Sequence, residues 1–475
     1  MKKLILNCLL LVQTSLLLGT DNLYNQTPTT TPILPPTTLP FTLSIDQMNL
    51  NLPNGWHSGA VATWGNKCLL LAGRTNGLHG FDSGNNNFPP RAQNLSIYVI
   101  DFKKMRVYQR ALNDPASGLT QQQIDTLSVT SPQSYQSGRT LYITGGYGVD
   151  SATGQMGTKP TLTAIDIPGL IHWVTHPDSS GTAAKQIRQT TDPLVQVTGG
   201  YMAQVSPHTP TLLIFGQNFT GFYSDSSNGD YTQQVRAFTI LDNGQTLHVL
   251  ANPNQPPQNP SYRRRDLNVV PILSPGKNGP IESFVALSGV FTLNEGIWTV
   301  PVLIASDGSS SMADPNDPNT FKQGMNNYAS ANIGLYSEDT EEMYIIIPGG
   351  LTYGYFDNGV FLTDSEIPFT NEVTTVKIDP NGNFSQYIMD AQYPTILSTF
   401  SNPGNTLLFG AGATFIPAQG LPLYRNEVIG LDNLPSGPTV IGYIVGGIQS
   451  TLPNTSTRAD SAASPYIFQV TLTPR

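Results

Sequence analysis

"TLYITGGYG", residues 140–148, decides how this chain is read. A run of apolar, β-branched and aromatic residues stops on a glycine pair. That is the mark of a strand whose end needs positive φ or a close backbone approach. The phrase returns as "CLLLAGRT" (68–75), "LLIFGQNF" (212–219), "FVALSGVF" (284–291), "YIIIPGGLTY" (344–353), "LLFGAGATF" (407–415) and "GYIVGGIQS" (442–450). Counted from Leu141 in the opening phrase, the first residues of the seven phrases are 73, 71, 72, 60, 63 and 35 positions apart, the spacing of an array of β units.

The sequence around the phrases completes the unit. A strand and a turn precede most of them, as in "AVATWGNK" (60–67) and "YMAQVSPHTP" (201–210). A polar loop follows, then a strand with an acidic end ("NLSIYVID", "TLTAID", "NEVTTVKID"). A fourth strand comes next, read in "RVYQRAL", "IHWVTHP", "TLHVLANP" and "FSQYIMD". No stretch sustains a helical period, and "TQQQIDTL" (120–127) reads as one short helical turn at most.

Strand, hairpin, glycine-ended strand, long loop, strand, strand resembles the kelch repeat, with Trp173 as the best match to that family's aromatic positions. The resemblance covers residues 41–475. It implies an all-β, kelch-like β-propeller of four-stranded antiparallel blades, similar to the central domain of galactose oxidase. Seven landmarks favour seven blades, and the unit length of the early repeats allows six. "FTLSIDQMNLNL" (41–52) alternates like a strand but has no partner of its own. It is expected to complete the last blade and so close a single domain over 41–475.

Composition narrows the setting. Only 12% of the 475 residues are charged, against about 25% in ordinary proteins, while Gly (44) and Pro (38) are abundant. That suits a turn-rich extracellular β protein. The net charge of −9 argues against nucleic acid as a partner. Lys2 and Lys3, the apolar run to Leu18 and the small pair Gly19-Thr20 read as a signal peptide over 1–20. A Thr/Pro-rich linker over 21–40 follows. The expectation is a bacterial exported protein (periplasmic, cell-surface or secreted) with no transmembrane segment after signal removal. Cys68, the one cysteine beyond the signal, lies in an apolar strand and reads as a buried structural thiol.

The loops after the glycine phrases are long and rich in Asn, Asp and aromatic residues, which suits a glycan or protein ligand on that face. "SYRRRDLNVVP" (261–271) is the densest charge cluster; it reads either as an anion site or as ion pairing with Asp266, Asp242 or Glu295. Candidate ligand-binding residues are Arg263, Arg265, Arg74, His79, Tyr147, Tyr353 and Arg425. No cofactor, metal or catalytic residue is expected. The six histidines are scattered, and His172 and His176 flank what reads as a strand. The copper chemistry of galactose oxidase needs a Cys–Tyr crosslink, which Cys68 in its strand does not suit. The expected function is a non-enzymatic exported propeller that binds a glycan or protein through its long-loop face. The alternatives are a carbohydrate-active enzyme on the same scaffold, such as the sialic-acid epimerases or mutarotases that the kelch resemblance brings in, and a structural cell-surface component.

Overall fold

The computed structural model describes residues 30–80, 82, 87–178, 181–224, 229–293, 296–455 and 459–475. The expected signal peptide and the first part of the linker lie outside the described residues. Six main sheets fan around one axis. Sheet 1 runs over residues 60–111, sheet 2 over 133–191, sheet 3 over 201–251 and sheet 4 over 268–312. Sheet 6 joins Ala413–Pro417, Thr439–Gly446 and Tyr466–Pro474 to the N-terminal strand Phe41–Asn51. These five are four-stranded antiparallel blades. Sheet 5 has an antiparallel centre, from Ile333–Ser337 to Phe384–Gln392, and a short parallel strand on each edge: Ile429–Gly430 inside and Ile33–Leu34 outside.

The apolar runs fail to alternate because both faces of each sheet are buried. In sheet 1, Leu69 and Leu71 pack towards Leu141, Ile143 and Ile165 of sheet 2. Cys68 and Leu70, on the other face, pack against Val445 and Ile467 of sheet 6. Four further cores lie between sheets 2 and 3, 3 and 4, 4 and 5, and 5 and 6, so each sheet touches its two neighbours and the ring closes. Burial pushes the Cys68 thiol well above its ordinary pKa.

The glycine phrases mark a repeated corner. Each second strand ends on two residues at positive φ: 72–73, 145–146, 215–216, 288–289, 349–350 and 446–447. The first has φ of 52–68° and is Ala, Phe or Ser in three cases. The second has φ of 81–101° and is always glycine, the residue that reaches this region without a Cβ penalty. Its N–H crosses to the next sheet: Gly73 to Val129 O, Gly146 to Val197 O, Gly216 to Arg264 O, Gly350 to Phe409 O and Gly447 to Trp56 O, at 2.7–2.9 Å. In sheet 4 the Ser288 hydroxyl donates instead, to Asn327 O at 2.8 Å.

This corner corrects the expectation of seven blades. "LLFGAGATF" is not a second strand. Its glycines lead into the inner strand Ala413–Pro417, and it therefore adds no sheet. The four-stranded blades number five, neither the seven expected nor the six allowed, and the six-stranded sheet fills the remaining sector. A second correction concerns "IHWVTHP". Residues Ile167–Thr175 are an α-helix, capped by Asp166, whose carboxylate accepts from Gly169 N, with Pro in the first turn. The helix buries Leu170, Ile171, Trp173 and Val174, and the fourth strand of sheet 2 is Ile187–Thr191. At the end of the Thr/Pro-rich stretch, Ile33–Leu34 pairs with sheet 5, and Pro36 and Leu39 are buried.

Candidate functional site

The axis carries a backbone ring. Each inner strand is preceded by a residue at positive φ (47–70°): Ser58, Ser131, Gly199, Asp266, Ala329 and Gly412. Ser131 N donates to Ser58 O, Gly199 N to Ser131 O, Asp266 N to Gly199 O, Gly412 N to Ala329 O and Ser58 N to Gly412 O, at 2.5–3.0 Å. A left-handed non-glycine residue costs about 1–2 kcal/mol, and a net hydrogen bond returns about 1 kcal/mol. The ring therefore holds its four non-glycine members only because the six sheets fix its diameter. It divides the axis into two compartments.

On the long-loop side lies a layer made by the residue before each ring member: His57, Thr130, Thr198, Arg265, Tyr328 and Ala411. Five of them bridge to the residue after their own sheet's corner, namely Arg74, Tyr147, Gln217, Val290 and Leu351; Ala411 O accepts from Ile448 N at 2.7 Å. His57 is buried, with Nε2 2.8 Å from Asn76 O and Nδ1 3.0 Å from Ser58 Oγ. A carbonyl only accepts, so Nε2 carries the proton and the Ser58 hydroxyl donates to Nδ1. Burial, followed by the charge of Arg74, pulls the His57 pKa down to about 3. The ring is neutral at any ordinary pH.

Above this layer an arginine–aromatic chain spans four sheets. Arg74 lies over Phe88 at 5.0 Å, and Phe88 meets Tyr147 and Tyr223 edge-on at 5.5 and 5.4 Å. His79 packs on Phe88 and Tyr223 at 4.6 and 4.8 Å. Arg265 donates to Tyr231 Oη at 2.9 Å and Tyr223 Oη at 3.2 Å, and its Nη1 is 3.5 Å from Asp266 Oδ2. Arg263 stacks on Tyr231 at 4.0 Å and donates to Phe291 O at 2.5 Å. Arg264 points the other way, fully buried under Trp298, and donates to Ser288 O at 3.2 Å and Val300 O at 2.8 Å. Asp242 pairs instead with Arg188 at 2.7 Å.

Five of the seven sequence candidates thus come together: Arg74, His79, Tyr147, Arg263 and Arg265. Each carries a polar contact to the protein itself, Tyr147 Oη to Gly221 O at 2.6 Å and His79 Nδ1 to Gly80 O at 2.9 Å among them. Two candidates stand apart. Tyr353 lies in the loop of sheet 5, its amide held by Asn326 Oδ1 at 3.1 Å. Arg425 is at the opposite end of the axis, exposed and paired with Glu282.

The other side of the ring is open. A funnel of about 1100 Å³ has the ring as its floor and the inner strands as its walls. Tyr135, Tyr201 and the stacked pair Phe102–Tyr443 (4.0 Å) line it, with Gln204, Asn332 and Asn426 between them. Lys67, Lys103 and Arg425 stand on its lining too. Asp266 lies at the floor, where burial raises its carboxyl pKa against the opposing charge of Arg265. Burial also pushes the Glu427 carboxyl up. Residues 418–428 cross the mouth, held by Asn426 Nδ2 to Ile272 O at 3.3 Å and by the Arg425–Glu282 pair. Sequence reading missed the funnel. Its residues are scattered through six short strands, and only the ring register, two residues past the corner-accepting carbonyl in most sheets, brings them into line.

Among the described residues no group of three or more His, Cys, Asp or Glu side chains is placed to hold a metal ion. Nor is any helix among them long and apolar enough to cross a membrane. No family model matches the chain, and no curated protein matches it. Among solved structures, that of YjhT matches at 11% identity with a TM-score of 0.44, over 89% of this chain and 98% of that one.

Proposed function

We propose that this protein is an exported kelch-like propeller that binds a carbohydrate in the axial funnel, without chemically changing it. The observation that carries the reading is the contrast across the backbone ring. On the long-loop side the arginines and tyrosines are spent on one another and on backbone carbonyls. On the other side aromatic faces and amides line a blind space of about 1100 Å³, large enough for a short oligosaccharide. Aromatic rings offer apolar platforms to sugar faces, and amides both donate and accept, which matches hydroxyl groups. The glycine corners support the kelch kinship.

A glycan array followed by titration calorimetry tests this reading. Tyr201→Ala and Asn332→Ala should each weaken binding at least tenfold, whereas Arg263→Ala should leave it within twofold. Loss of affinity in Arg263→Ala with none in Tyr201→Ala would move the site to the long-loop face. Conversion of the bound sugar, followed by proton NMR, would replace binding with catalysis.

A further inference from the structure

A second cavity, of about 450 Å³, lies on the flank of sheet 1 beside the helix Ile167–Thr175. Two tight turns of sheet 1 form one wall. In the first, Trp64 pairs with Lys67 across Gly65-Asn66; in the second, residues 102–105 join Ser96–Asp101 to Arg106–Ala111. The turns are tied together by Phe102 N donating to Asn66 O at 3.1 Å. The exposed end of the helix forms the facing wall, where the rings of His172 and His176 stack at 4.3 Å. The strand reading of this segment hid that pairing, because side chains four apart are neighbours on a helix but lie about 13 Å apart along a strand.

Two properties of the groove bear on what it binds. Trp64 is 45% exposed, whereas Trp56, Trp173 and Trp298 are all buried. An indole left in water at a hairpin end forgoes the stabilisation that burial would bring. Positive charge also gathers here. Lys67, Lys103 and Lys104 are three of only ten lysines in a chain of net charge −9, and among the described residues none of them makes an ion pair. The one acid on the described lining, Asp101, is buried, and its Oδ1 accepts from Lys104 N at 3.0 Å.

We infer that this groove binds an acidic glycan, with Trp64 as the platform for one sugar ring and the three lysines pairing with its carboxylate or sulfate groups. The platform supplies the sugar contact and the lysines supply the preference for charge. A nucleic acid fits less well. Three lysines neutralise few phosphates, and the strongly negative remainder of the protein repels so dense a polyanion. The inference does not depend on the funnel being occupied, although Asn66, Lys67 and Lys103 also stand on the funnel's lining.

Calorimetric titration of the full chain with hexagalacturonate, a chondroitin sulfate hexasaccharide, maltohexaose and a 20-nucleotide single-stranded DNA tests it. At least one acidic probe should bind, and maltohexaose should bind at least tenfold more weakly. Trp64→Ala and the pair Lys103→Ser with Lys104→Ser should each weaken the acidic probe at least tenfold. All three positions are exposed at hairpin ends, so thermal melts of the variants should match the parent. The inference is overturned if neither acidic probe exceeds maltohexaose, if the variants bind as the parent does, or if DNA binds more tightly than both acidic probes.

Discussion

The amide of Gly146 donates to the carbonyl of Val197 across 2.9 Å, from the end of one sheet to the approach of the next. A Cβ built at Gly145 would collide with that same carbonyl oxygen, and one at Gly146 would collide with the Val129 side chain. Gly145→Ala should therefore cost more than about 3 kcal/mol, because rigid backbone on both sides must give way. Ala72→Gly, at the equivalent corner of sheet 1, should change stability by less than about 1 kcal/mol, because relief of the left-handed strain at φ 57° offsets the entropy of a freer unfolded chain. Urea unfolding of the two variants checks the contrast. Equal midpoints would show that the corner does not set the distance between sheets.

Phe41 lies fully buried with its ring edge-on to Tyr344, 5.5 Å between centroids, so the N-terminal strand contacts sheet 5 as well as its own sheet. Its strand pairs with Tyr466–Pro474 from Phe41↔Pro474 to Gln47↔Phe468. The two ends of the described chain thereby close the ring, with no covalent link. Phe41→Ala should cost about 3–5 kcal/mol, as other buried phenylalanines do. Removal of residues 30–52 should abolish the cooperative melt. A truncated protein that melts at the parent's temperature would exclude this closure.

Much of the wheel was legible because glycine at φ near 90° leaves a mark that no other residue can imitate. Gly73, Gly146, Gly216, Gly289, Gly350 and Gly447 all stood in the quoted phrases. Gly410 and Gly412 imitate the mark from a different place, since positive φ is also required where the chain enters an inner strand. Helix 167–175 was illegible for a different reason. Nine residues hold only about two and a half turns of period, and Ile, Trp, Val and Thr favour strands, so the Asp166 cap and burial against sheet 1 decide the outcome. The arginine cluster was legible as a cluster but not as a packed one. The partners of Arg265, Tyr223 and Tyr231, lie 42 and 34 residues away.

Arg264 Nη1 and Nη2 reach the carbonyls of Ser288 and Val300 from beneath Trp298, inside sheet 4. Arg264→Met keeps most of the volume but strands both carbonyls in an apolar setting. A cost of about 3–5 kcal/mol is expected, with near-wild-type binding once the variant is folded. Arg263→Ala, whose side chain is only partly buried, should cost about 1 kcal/mol. Chemical denaturation of both variants separates the two roles. An Arg264→Met protein as stable as the parent would exclude a structural role for this arginine.

His57 gives the fold an acid-sensitive point. Its pKa falls from an unfolded value of 6.5 to about 3, first through burial and then through Arg74. Between those values the unfolded chain takes up a proton that the folded chain refuses. Stability tied to His57 is thus complete above pH 6.5 and drains away as pH falls towards 3. At about 1.4 kcal/mol per unit, the loss between pH 7 and pH 4 is on the order of 3 kcal/mol. His57→Gln removes the titration while keeping an amide that can donate to Asn76 O. It should start less stable at pH 7 and then lose about 3 kcal/mol less than the parent on acidification. Urea midpoints for both proteins at pH 7, 5.5 and 4 give the comparison. Parallel pH profiles would mean that protonated His57 is accommodated, and that the long-loop layer opens to water beneath the arginine–aromatic chain.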